Sequence, residues 1–130
     1  MRRFTLAALF VIACGPKPAP QKPTIDTRAL AAELAAQMTE VAAIVHRHRT
    51  DCPKLASELR LLFVRMSASL DRAREAQQDP VVAKQLTTDM RAYDEASTNA
   101  VSSIEADFTV DSQCARDPQV RDVLQSMPTL

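Results

Sequence analysis

The chain has almost no glycine. Of its 130 residues, one is glycine, none is tryptophan, and aromatic residues make up 4%. Tight β-turns and phosphate-binding loops need glycine, because glycine adopts positive φ without a steric cost. The scarcity argues against a β-sandwich and against an α/β fold. Alanine, leucine, glutamate, arginine and glutamine are instead sustained along the chain, and they favour helix. The composition therefore predicts an all-α protein.

The chain also lacks an excess of either charge. Sixteen Lys and Arg residues balance 16 Asp and Glu residues, for a formal net charge of +0. A nucleic-acid-binding domain normally carries a basic excess, so that class of partner is excluded. Acidic and basic side chains interleave along the chain, which is typical of a solvated surface with weak ion pairs.

Motifs that carry catalysis are missing as well. The sequence contains no CxxC, CxxCH, GxSxG, HExxH, EF-hand loop or glycine-rich phosphate loop. His46 and His48 stand two residues apart, so on a helix they face different directions and cannot share a metal ion as an i,i+4 pair would. We interpret them as a basic cap at a helix C-terminus. We therefore expect no enzymatic activity, no metal site and no cofactor.

The first 14 residues have the features of an export signal. Met1-Arg2-Arg3 is positive, and the following run from Phe4 to Ile12 is uncharged, mostly apolar and shorter than the roughly 20 residues that span a bilayer. Val11-Ile12-Ala13-Cys14 at its end resembles the lipobox of bacterial lipoproteins. The resemblance covers residues 1–15. It implies cleavage after Ala13, a diacylglyceryl thioether on Cys14 and an acylated amino group.

The resemblance divides the chain into three parts. Residues 1–13 are the signal peptide, residues 14–24 are the lipidated cysteine and a tether with four of the eight prolines, and residues 25–130 are the folded domain. Proline makes the tether extended and semi-rigid. The residue after Cys14 is Gly15, not the aspartate that resembles an inner-membrane retention signal. The resemblance thus implies an outer-membrane anchor facing the periplasm, on a mature chain with 14 basic and 16 acidic side chains.

Proline and aspartate set the predicted helix boundaries. Asp79-Pro80, Asp117-Pro118 and Asp51-Cys52-Pro53 each place a capping carboxylate before a proline in the first turn, and Thr24 or Asp26 caps the first helix. The predicted helices are residues 26–48, 53–77, 80–108 and 118–127. Their apolar residues recur at steps of three and four and form one stripe on each helix. The predicted stripes are Leu30, Leu34, Met38, Val41, Val45 and His48 on the first helix; Leu55, Leu59, Leu62, Met66, Leu70 and Ala73 on the second; Val82, Leu86, Met90, Tyr93, Ser97, Val101, Ile104 and Phe108 on the third; and Val120, Val123, Leu124 and Met127 on the fourth. We therefore expect an antiparallel three-helix bundle with a short fourth C-terminal helix.

One stretch of the third predicted helix is ambiguous. Residues 96–103 combine small residues with poor helix formers. The helix is either continuous, with a close helix contact at Ser97 and Ala100, or kinked there, because Ser and Asn side chains compete for backbone groups.

The two remaining cysteines should meet. Cys52 lies between the first and second predicted helices and Cys114 follows the third, so an antiparallel arrangement puts both at one end. An exported, oxidising compartment favours a Cys52–Cys114 disulfide. Free thiols and an intermolecular bridge are the alternatives.

Leu61, Phe63 and Val64 belong to an apolar run that one narrow seam cannot accommodate. They either meet the fourth helix or form a partner surface. The leading hypothesis is a lipid-anchored binding or scaffolding module that contacts the bilayer and an envelope protein, with a homo-oligomer left open.

Two alternatives stand beside it. One is a haem- or metal-binding bundle with Met38, Met66 and Met90 turned inward and His48 as an axial ligand. The other is an accessory or inhibitor subunit of an envelope enzyme.

Overall fold

The computed structural model describes Gly15 and residues 24–128. Within that part the chain is helical and contains no strand, which confirms the predicted all-α class. The helices are α1 (Thr27–His48), α2 (Cys52–Gln77), α3 (Pro80–Met90), α4 (Asp94–Asp107) and α5 (Pro118–Gln125). None of these helices is both long enough and apolar enough to cross a bilayer. The predicted signal peptide, the predicted lipidation site Cys14 and nearly all of the predicted tether lie outside the described residues.

Aspartate caps begin four of the helices, as predicted. Asp79 Oδ1 accepts a hydrogen bond from Val81 N at 2.8 Å, and Asp117 Oδ1 accepts one from Gln119 N at 2.9 Å. The cap of α1 is Asp26, whose Oδ1 lies 3.0 Å from the amide nitrogen of Ala29. The carboxylates satisfy amides that have no partner inside the helix. Local sequence therefore determines where these helices start.

The third predicted helix is interrupted, but not where the sequence suggested. Residues 97–100 are helical within α4, and Ala100 is buried. The break is a 3₁₀ turn at Arg91–Tyr93, which separates α3 from α4. Tyr93 has φ −113° and ψ 8°, and the amide of Asp94 donates to the carbonyl of Arg91. The predicted continuous helix and the alternative of a kink near Ser97 are thus both wrong, whereas the burial of Ala100 agrees with the close helix contact expected there. The break contains neither glycine nor proline, so no sequence signal marks it.

α1 is the central element, and it packs against α2, α3 and α4. Two side-chain contacts connect its ends to the segment after α2. Near its start the Thr27 hydroxyl donates to Asp89 Oδ2 at 2.6 Å, and near its end His46 Nδ1 lies 2.9 Å from Asp107 Oδ2. Polar pairs also follow the α1–α2 contact: Glu33 with Arg72, Gln37 with Ser69, and Glu40 with Arg65.

The core consists of two clusters. The smaller cluster joins α1, α2 and α3 and includes Leu30, Ala73, Ala76 and Leu86. The larger cluster joins α1, α2 and α5, and its most deeply buried members are Leu55, Leu59, Leu62, Val120 and Val123.

The stripe predicted for α1 is only partly right. Ile44, which was left out of it, is 3% exposed, whereas Leu34 and Val41 are only partly buried. The difference arises because α1 is covered by several helices, so its buried surface is wider than one stripe.

Candidate apolar binding groove

The two halves of the interrupted helix pack differently. α3 contacts both α1 and α2, whereas α4 contacts α1 but makes no extended contact with α2 or α5. α5 in turn packs on α2. A wedge therefore remains between α4 on one side and the α2–α5 pair on the other. The 3₁₀ turn at Arg91–Tyr93 lies where this change of packing begins.

The wedge is a groove with a cavity volume of about 290 Å³. Its floor is formed by residues of α1 and α2, namely Met38, Val41, Val45, Leu59, Phe63 and Met66. Val101, Ile104 and Phe108 come from the α4 side, and Leu124 and Met127 come from α5 and the residues after it. We call this feature the apolar groove.

The chemistry of the apolar groove is uniform. No polar atom contributes to its accessible wall, and Glu105 is the one charged residue among the described residues that line it. Glu105 is exposed, so its carboxylate lies at the rim and not in the wall. A polar group placed in the groove would lose water without gaining a hydrogen bond. The groove therefore suits an apolar group.

The side chains around the groove are incompletely covered. Val101 is 43% exposed, Leu124 is 37% exposed and Met127 is 46% exposed. Contiguous exposed apolar surface on a small protein commonly marks a binding site. The methionines in the wall are unbranched and can adapt to the shape of a ligand. The face of α4 that borders the groove is therefore only half covered.

The predicted partner surface does not form one patch. Leu61 is 61% exposed and Val64 is 70% exposed, but Phe63 is 4% exposed and lies in the floor of the apolar groove. Neighbouring positions on a helix point about 100° apart, so Phe63 faces inward while Leu61 and Val64, three positions apart, share the outer face. The surface is therefore reduced to Leu61 and Val64 on the outside of α2.

The residues named for haem or metal binding are spread over the protein. Met38 and Met66 line the apolar groove, whereas Met90 packs against the smaller core cluster. His48 is partly exposed at the end of α1, and His46 contacts Asp107. Within residues 24–128, no three His, Cys, Asp or Glu side chains are grouped as metal ligands would be.

The Cys52–Cys114 disulfide is confirmed, with the two Cα atoms 5.1 Å apart. Both cysteines are buried in the larger cluster. Cys114 lies in the 3₁₀ turn Gln113–Arg116 that directly precedes α5. The bridge ties this turn to the start of α2, and so it holds Leu124 and Met127 beside the groove.

The fold and the groove define a class: an all-helical, disulfide-linked protein with a polar-free groove beside an interrupted helix. Comparison with family models, curated proteins and solved structures finds no match, so no family assignment is made. Sequence reasoning identified most of the groove residues as stripe positions. It missed that Val101, Leu124 and Met127 remain half covered, because no local signal records the distance between α4 and α2.

Proposed function

We propose that the protein is a non-catalytic binding module of the bacterial cell envelope, anchored by lipid on Cys14, that takes an apolar group of its partner into the apolar groove. The observation that carries this proposal is the polar-free wall between α4 and the α2–α5 pair. Such a cavity binds by burying apolar surface, and its wall offers no polar group to a ligand.

The helices in this proposal form an antiparallel three-helix bundle with α5 across one end. Two sets of contacts support it. Between α1 and α2, residue numbers rise on one helix as they fall on the other, from Glu33–Arg72 to Glu40–Arg65. Between α1 and the interrupted helix the numbers rise together, from Thr27–Asp89 to His46–Asp107.

The anchor in this proposal is the acylated Cys14 at the outer membrane, with the domain in the periplasm. The lipobox-like sequence and the proline-rich tether support it. Two or more acyl chains give stable membrane attachment, whereas a single chain gives only marginal binding. Replacing Cys14→Ser should abolish incorporation of labelled palmitate and glycerol, because the thioether and the new amino group both form at Cys14. Incorporation of either label by the serine variant, or its absence from the wild type, would contradict the anchor.

The groove is tested with a neutral solvatochromic dye and two matched variants of the full chain. Val101→Asp places a carboxylate in the groove at a half-exposed position, whereas Val64→Asp makes the same change on the outside of α2. We expect the dye to bind the wild type and Val64→Asp equally and to bind Val101→Asp at least about tenfold more weakly, because a buried unpaired charge is costly. Equal binding by all three proteins, or no binding by the wild type, would refute the groove.

A further inference from the structure

We infer that the group bound in the apolar groove is one hydrocarbon chain of a neutral lipid from the membrane. This inference rests on the proposed function, and it names the chemistry of the occupant.

The wall of the groove favours a hydrocarbon chain over a peptide. A peptide in the groove would bring backbone amides, and the wall offers them no donor or acceptor. A hydrocarbon chain brings no polar group. The volume of about 290 Å³ lies at the small end of ligand cavities, which run from about 300 to 1,000 Å³. The cavity thus fits a slender chain better than a row of helix side chains.

The charge at the rim selects the kind of lipid. Glu105 is exposed at the groove and takes part in no ion pair within the described residues. The head of a bound lipid would emerge at this rim. A fatty-acid carboxylate would meet a like charge there, whereas a glycerol ester would not. The geometry therefore favours a neutral head group.

The tether brings the groove within reach of membrane lipids. Thr24 follows Cys14 by ten residues in the sequence, and ten residues can span at most about 33 to 36 Å. Along α1, the groove residues Met38 to Val45 lie about 17 to 27 Å from Thr27. A domain lying on its side can therefore place the groove against the bilayer while the lipid on Cys14 remains inserted in the bilayer. The acyl chains on Cys14 itself are committed to the anchor, so the source is a separate bilayer lipid.

The test uses the full chain carrying Cys14→Ser, with methyl-labelled methionine, and monoacylglycerols of increasing chain length below their aggregation limit. We expect the methyl NMR signals of Met38, Met66 and Met127 to shift, while Met90, which lies in the other cluster, does not. Affinity should rise by about fourfold per methylene until the groove is filled, and then level off. The Val101→Asp variant should bind at least about tenfold more weakly, and Val64→Asp should match the parent protein.

The rim charge is tested with fatty acids of the same chain lengths. The anion should bind about two- to fivefold more weakly than the monoacylglycerol, as expected for one exposed like-charge contact. Glu105→Gln should remove that difference. Equal binding of ester and anion by the parent protein would overturn the choice of a neutral head group.

Several results would overturn the inference. If the dye binds in the groove but no monoacylglycerol shifts the methyl signals of Met38, Met66 and Met127, the inferred lipid occupant is wrong and the proposed function stands. If neither ligand binds, both fail. Shifts at Met90 equal to those at Met127 would show nonspecific partitioning. Tighter binding of an amphipathic helical peptide would assign the groove to a protein. Groove shifts in lipidated protein without added lipid would assign it to the acyl chains of Cys14.

Discussion

Reducing the Cys52–Cys114 disulfide should lower the free energy of unfolding by about 4 kcal/mol. The bridge joins residues 62 apart in the sequence, and a cross-link of that length removes about 14 cal/mol/K from the entropy of the unfolded chain. At 25 °C this amounts to roughly 4 kcal/mol. Total stabilities of small domains are about 5–15 kcal/mol. The bridge therefore accounts for a large share of the stability of this narrow core.

The loss of stability after reduction should affect the C-terminal helix α5 first. α5 has eight residues, packs on α2 and the preceding 3₁₀ turn, and buries Val120 and Val123. Isolated helices of this length are unstable in water. With the bridge open, the amides of α5 should exchange faster than those of α1, and the groove should lose the side chains of Leu124 and Met127.

The measurement is denaturant unfolding of the oxidised and reduced proteins, followed by far-ultraviolet circular dichroism because the chain has no tryptophan. The double variant Cys52→Ala/Cys114→Ala separates the effect of the bridge from that of the reductant, and it should be destabilised at least as much as the reduced protein. Native-state hydrogen exchange then locates the loss. A difference below about 1 kcal/mol between oxidised and reduced protein would refute the chain-entropy reasoning for this loop.

Two further predictions concern the core and a helix cap. Leu59→Ala should lower the free energy of unfolding by about 2–5 kcal/mol, because Leu59 is 1% exposed. Leu61→Ala should change it by less than about 0.5 kcal/mol, because Leu61 is 61% exposed. Comparable losses for the two variants in denaturant melts would contradict the burial pattern. Asp117→Ala should lower the free energy of unfolding by about 0.5–2 kcal/mol and speed amide exchange in α5, because the Asp117 carboxylate caps that helix. The control Asp111→Ala removes one exposed ion pair and should leave amide exchange in α5 unchanged. Unaltered exchange in Asp117→Ala would show that the cap is not needed.

Much of the fold could be predicted because its determinants are local. Asp79 and Asp117 cap helices that begin at the following proline, and the spacing of leucine, valine and methionine predicts amphipathic helices. The disulfide required one more step, since Cys52 and Cys114 meet only if consecutive helices reverse direction. Its formation agrees with that arrangement.

The candidate site was harder to predict, because the groove exists only where α4 does not pack closely against α2 and α5. Phe63 and Val64 are neighbours in an apolar run, yet one lines the groove and the other faces outward. The sequence pattern identifies both residues as apolar, but it does not indicate which helix covers which side of α2. Val101 and Phe108 belonged to a predicted stripe, but a stripe does not show whether a partner helix is close enough to cover it.

By itself, the sequence determined the helical class and the starts of α1, α2, α3 and α5, because composition and capping act over a few residues. It also favoured the pairing of Cys52 with Cys114, which follows from helix order. Only the tertiary structure decided that the third segment breaks at Arg91–Tyr93 and that α4 packs extensively on α1 but not on α2 or α5. That outcome depends on the balance of contacts among four helices, which no single segment encodes. The apolar groove is its direct consequence.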